Sequence, residues 1–117
     1  MAQPAEAVGF DSVWQADHFL TGTPGKEERW LWEAFTFLSA LAAVTLRIRL
    51  GSLVAGTSLR NPALLVKMAD GLDEISGSRF ILGVVAGSYK PEFRAFGYPF
   101  DHRGKLYPVP EPDVSKN

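Results

Sequence analysis

The strongest constraint in this chain is an alternation. Short apolar runs that suit buried strands take turns with segments that carry helix signals. Residues 47–54 contain Ile48, Leu50, Leu53 and Val54, with Gly51 small enough to let another backbone approach closely. Residues 80–85 are apolar without a period of two, the pattern of a strand buried on both faces. Between these runs, Asn61-Pro62 is a helix start, with asparagine as the cap and proline at the first helical position. Leu64, Met68, Leu72 and Ile75 then recur at helical spacing, with Lys67, Asp70 and Glu74 off that stripe, and Gly77 is a helix stop. Strands joined by a helix in this way run parallel, through right-handed crossovers. The fold class is therefore α/β.

The flanking segments extend the same order. A helical turn over residues 4–8 closes at Gly9, and a strand follows over residues 12–16. Residues 21–26, with two glycines and a proline, read as a loop, and residues 31–45 as a helix. That helix is apolar on nearly every face, so it is expected to be covered on several sides. A short helix is expected over residues 91–96. The end of the chain, with Pro99, Pro108, Pro110 and Pro112, has no apolar period and reads as extended or disordered over residues 106–117. Residues 1–105 form the single domain. Two architectures satisfy this order: an open doubly wound sheet, or part of an eight-stranded barrel.

Composition narrows the function. With 12 Lys+Arg against 13 Asp+Glu, the chain lacks the basic footprint of a nucleic-acid binder. It has no cysteine, which removes disulfides, zinc–thiolate sites and thiol nucleophiles. The first basic residue is Lys26, so no signal-type basic region precedes an apolar stretch. Residues 31–46, the most apolar window, carry Glu33 and fall short of the ~20 apolar residues of a membrane span. No membrane and no nucleic-acid partner is expected, and the cytoplasm is the default location.

In either architecture ligands gather at the carboxyl ends of the strands, and three segments fall there. Asp17-His18-Phe19 sets a histidine beside a carboxylate, a pair able to act as general acid or base near neutral pH, or simply to hold a loop turn. Leu53-Val54-Ala55-Gly56-Thr57-Ser58 is small enough for a flat or phosphorylated ligand to approach its backbone, or serves only as a connecting turn. Gly83-Val84-Val85-Ala86-Gly87-Ser88 is superficially a phosphate loop, but Val85 stands where the dinucleotide fingerprint needs glycine. His18 and His102 offer no metal-ligand spacing.

Taken together, the chain resembles the bacterial luciferase-like monooxygenases, which use flavin or the deazaflavin coenzyme F-420. The matching stretches are Ala5-Glu6-Ala7-Val8-Gly9-Phe10-Asp11-Ser12-Val13-Trp14, Ala16-Asp17-His18, Arg47-Ile48-Arg49-Leu50-Gly51 and Arg60-Asn61-Pro62-Ala63-Leu64. They continue through Leu72-Asp73-Glu74-Ile75-Ser76-Gly77-Ser78-Arg79, Leu82-Gly83, Ala86-Gly87 and Glu92-Phe93-Arg94-Ala95-Phe96-Gly97. The order and spacing of these stretches carry the resemblance over residues 6–104.

The resemblance implies a partial (β/α)8 TIM barrel, about strands two to four with their crossover helices, and a cofactor, F-420 or FMN, at the carboxyl-end face. By it, Asp17 and His18 would position and protonate near the hydride-transfer centre. Leu53 and Val54 would supply a strained, bulged peptide behind the ring, and Gly56 would line the same pocket. Ala86 and Gly87 would approach the cofactor through their backbone, with Ser88 beside them. Ser88 stands where the family's sugar-phosphate dehydrogenases carry glutamate, which speaks against that activity. The first strand and the second half of the barrel, which holds much of the phosphate grip, have no counterpart. The expectation is an oxidoreductase acting on a small molecule by hydride transfer or oxygen activation, present as a fragment that binds cofactor weakly alone. A homo-oligomer or a complementing chain would complete it. The alternative is a non-catalytic remnant, or a small oligomerising α/β protein with residues 31–46 as its adhesive face.

Overall fold

The computed structural model describes residues 2–22 and 29–101. The expected tail over residues 106–117 lies outside them, as does most of the loop expected over residues 21–26. Helix α1 (Ala2–Ala7) ends at Gly9, whose φ of +91° is the left-handed turn a glycine adopts at no steric cost. Strand β1 (Ser12–Gln15) follows. Two short strands, β2 (Leu20–Thr21) and β3 (Arg29–Trp30), then pair antiparallel. Helix α2 (Ala34–Val44) leads to β4 (Arg49–Gly56), and a 3-10 turn (Thr57–Leu59) leads to helix α3 (Pro62–Ser76). Strand β5 (Phe80–Val85) and helix α4 (Lys90–Ala95) complete the order.

β1, β4 and β5 form a three-stranded sheet with β4 in the centre, and both pairings are parallel. The β2–β3 pair was not anticipated from sequence. Two residues on each side carry no periodicity, and their partners come from separate stretches of chain. The local helix signals of α3 are realised. Asn61 Oδ1 accepts from the Ala63 and Leu64 amides at 2.9 and 3.4 Å, and Gly77 closes the helix at φ +66°.

The core lies between this sheet and helices α2 and α3. Phe35, Leu38 and Ala42 of α2 and Leu65 and Leu72 of α3 meet Leu50 and Ala55 of β4, with Ile48 just ahead of that strand. Phe35 stands edge-on to Phe80 at 5.9 Å, an aromatic arrangement favoured by ring quadrupoles. Elsewhere on β4, the indole of Trp14 lies against Gly51; a Cβ there would sit 2.3 Å from the ring. The close approach expected at Gly51 is thus made by a side chain rather than a backbone.

Three expectations are corrected. The stripe of α3 that reaches the core contains Leu65, Met68 and Leu72, while Leu64 and Ile75 are exposed. Both stripes share Met68 and Leu72, so helical spacing alone fits either. Helix α2 buries one face only, through Ala34, Phe35, Leu38 and Ala42, and Val44 is exposed. Strand β5 is not buried on both faces: Leu82, Val84 and Val85 are exposed, because β5 lies at the edge of the three-stranded sheet.

Two charged side chains fasten the amino-terminal end of the sheet. The Glu6 carboxylate accepts from three consecutive amides: Leu46 at 3.0 Å, Arg47, and Ile48 at 2.8 Å. Those amides, Ile48 first and then Arg47, hold the Glu6 carboxyl below its ordinary value. Arg79 donates to Ala42 O in the last turn of α2 and Thr45 O just past it, to Ile48 O, to Ser76 O at the end of α3, and to Thr45 Oγ1. One guanidinium therefore satisfies carbonyls that both helices leave open at their C-termini.

Candidate functional site

The site is built at the opposite end, where the three parallel strands exit. β1 delivers Asp17 and His18, β4 delivers Leu53, Val54 and Gly56, and β5 delivers Gly87 and Ser88. All seven line one cavity of about 180 Å³, together with Leu59, Val85 and Glu92. Of the residues to which the resemblance gives a place beside the cofactor, Ala86 alone is absent from that lining; it lies between Val85 and Gly87 on the same segment. The Leu53–Val54 peptide is cis, and the β4–β5 register shifts between Ser52 and Ala55. Gly87 has φ +87°, which favours glycine, and a Cβ there would lie tightly against the Phe93 ring at 3.0 Å. A wider cavity of about 590 Å³ opens at the other end of the sheet, lined by Glu6, Trp14, Arg47 and Arg49 among others. None of the residues to which the resemblance gives a catalytic or cofactor role lines it.

Asp17 is buried and fully engaged. Its Oδ2 accepts from the Gly56 amide at 2.9 Å and from Arg60 Nη1, and its Oδ1 accepts from Arg60 Nη2 at 2.6 Å. The same Arg60 Nη2 donates to Glu33 Oε1, and Glu33 caps α2 by accepting from the Phe35 and Thr36 amides at 3.2 and 2.7 Å. The guanidinium sits over the Phe19 and Phe35 rings, 5.3 and 5.2 Å from their centroids. One arginine thus ties the exits of β1 and β4 to the start of α2. Burial by itself pulls the Arg60 pKa down, but the bonds to Asp17 and then to Glu33 outweigh it and hold the group above its ordinary value. For Glu33, burial pushes upward, and the Thr36, Arg60 and Phe35 donors together bring the carboxyl below its ordinary value.

His18 is a reachable polar group here, its side chain 46% exposed, and its Nδ1 lies 3.1 Å from Glu92 Oε2. Tyr89 stands edge-on to the imidazole at 6.0 Å. Glu92 itself is buried, and its Oε1 accepts from the Phe19 amide and, at 3.3 Å, from the Leu20 amide. Sequence reading did not single out Glu33, Arg60 or Glu92. Arg60 and Glu92 fall inside the matched stretches, but their partners lie 43 and 74 residues away. Among the described residues there is no group of three metal-ligating side chains, and no helix is long and apolar enough to cross a membrane.

Comparison with known proteins identifies the family. The family model for luciferase-like monooxygenase matches residues 1–107. Pyrimidine monooxygenase RutA of Rhizobium rhizogenes is 43% identical over 95 residues, which is 80% of this chain and 26% of RutA. The chain therefore spans about a quarter of that relative's length. Among solved structures, the coenzyme F420 dependent tetrahydromethanopterin reductase of Methanopyrus kandleri superposes with a TM-score of 0.64 at 30% identity, covering 82% of this chain and 24% of the reductase. The oxygenating constituent of 3,6-diketocamphane monooxygenase from Pseudomonas putida, in complex with FMN, gives 0.69 at 26% identity, covering 82% and 25%. By the family match and these relatives, this chain belongs to the luciferase-like monooxygenase family.

Proposed function

We propose that this chain supplies strands two to four, with their crossover helices, of an eight-stranded (β/α) barrel, and that its carboxyl-end cavity takes one edge of a flavin (FMN) or deazaflavin F-420 ring. The assembled barrel would be a cytoplasmic oxidoreductase acting on a small molecule. One observation carries the reading: segments leaving three separate strands converge on a single cavity, at the end of a parallel sheet where ligands gather. The cavity, about 180 Å³, is smaller than the roughly 300–1,000 Å³ of a whole ligand site. Its residues therefore hold part of the group. Leu53 and Val54 give apolar support, Gly56, Ala86 and Gly87 allow close backbone approach, and Ser88 offers a hydroxyl.

When bound, such a ring supplies hydride transfer or, once reduced, oxygen activation. The residues of this chain do the rest. His18, half-exposed at the cavity, is the group that moves a proton. Asp17, with both oxygens bound to Arg60 and one also to the Gly56 amide, positions the exits of β1 and β4.

The second edges of β1 and β5 carry no strand among the described residues. Trp30, Trp32 and Leu46 are also exposed. Open edges and apolar surface support pairing with a further chain or a second copy. They also favour the second reading, a non-catalytic oligomerising α/β protein. Titration of the 117-residue chain with FMN and with F-420, followed by fluorescence, separates the two. Binding weaker than micromolar that strengthens on adding a complementing chain fits the first; a discrete oligomer indifferent to both cofactors fits the second.

A further inference from the structure

We propose that Glu92 is a positioning residue that fixes which imidazole nitrogen of His18 carries the proton, leaving Nε2 as the open acceptor. The inference rests on the reading of His18 as the proton-moving group, but its chemistry is independent of any cofactor. A carboxylate is an acceptor only, and Glu92 Oε1 already takes the Phe19 and Leu20 amides. Oε2 is left facing His18 Nδ1 at 3.1 Å, and Nδ1 must then be the donor. Among the described residues no lysine or arginine pairs with Glu92, although it is 1% exposed. A buried carboxylate oxygen needs a hydrogen-bond donor, and the His18 Nδ1–H is the one that faces Oε2. Helix α4 fixes the geometry from one short element: Tyr89, its N-cap, stands edge-on to the ring, and Glu92 holds Nδ1 from the first turn. The hydrogen bond made by one ring nitrogen sets what the other can do.

The test reads the tautomer directly. In the full chain carrying His102→Gln, so that one imidazole remains of the two, two-bond ¹⁵N–¹H correlation followed up the pH scale until the pattern stops changing reads the two His18 ring nitrogens. The expected result is a pyrrole-type Nδ1 and a pyridine-type Nε2. Adding Glu92→Gln keeps an oxygen for the two amides but turns an NH₂ toward Nδ1, so the pattern should invert to a pyrrole-type Nε2. A pyrrole-type Nε2 without the Glu92 substitution overturns the proposal, even if the Glu92→Gln chain fails to fold; so does a folded Glu92→Gln chain whose pattern is unchanged. FMN and F-420 titrations on the same samples keep the two ideas apart. Absent cofactor binding with the expected tautomer breaks the functional reading and leaves Glu92's role standing.

Discussion

Each end of the sheet is organised around one arginine, and the two arginines do different work. At the amino end Arg79 meets four main-chain carbonyls and one hydroxyl, all neutral, and closes the C-termini of two helices. At the carboxyl end Arg60 meets two carboxylates and is covered by two aromatic rings. At the amino end the groups around Arg79 are satisfied by hydrogen bonds within the chain itself. The carboxyl end is held just as firmly one layer down, yet it leaves a half-exposed imidazole and bare glycine backbone at a cavity. Rigid support beneath an open polar group is what a reactive site requires.

That comparison breaks first at Arg60. Arg60→Ala leaves Asp17 and Glu33 as uncompensated carboxylates, one of them buried, and a loss of about 3–5 kcal/mol is expected. Against a total stability of ~5–15 kcal/mol, that approaches global unfolding, and urea denaturation followed by circular dichroism measures it. A loss under about 1 kcal/mol would remove the buried tie from the account.

Arg79→Ala frees only neutral groups, four part-buried carbonyls and one hydroxyl, so the expected loss is smaller, about 2–3 kcal/mol in the same assay. An order reversed between the two variants would show that charge burial is not what distinguishes the ends.

The smallest effect is acid sensitivity. Glu33 has a folded pKa below its unfolded one, so its contribution is complete above the ordinary carboxyl value of 4.5 and is lost as pH falls through the lowered folded value. Because Glu33 is partly solvated, the contribution is only about a few tenths of a kcal/mol. Glu33→Gln should flatten the urea midpoint against pH below ~4.5 by that amount; an unchanged slope would show that the Thr36, Arg60 and Phe35 donors do not stabilise the Glu33 carboxylate.

What could be read from sequence was local. Asn61-Pro62 and Gly77 set the ends of α3 because caps depend on a few adjacent residues, and residues 80–85 form a strand because apolar runs between turn signals do so anywhere. The rest depends on distance along the chain. Leu64 or Leu65 could have faced the core equally well until the sheet beneath α3 chose between them. Asp17 and His18 were legible as chemistry, but Arg60, which holds one, and Glu92, which holds the other, act across 43 and 74 residues. No local pattern reports a partner that far away.

The central claim is that the carboxyl-end cavity, and not the wider amino-end one, takes the ring. Amide and imidazole chemical-shift mapping of the ¹⁵N-labelled 117-residue chain during FMN titration tests it most directly, because it reads weak binding residue by residue. The account predicts saturable shifts at His18, Gly56, Gly87 and Ser88, with Glu6, Arg47 and Arg49 unmoved. Shifts confined to Glu6, Arg47 and Arg49, or none with FMN and none with F-420 in the same experiment, would contradict it.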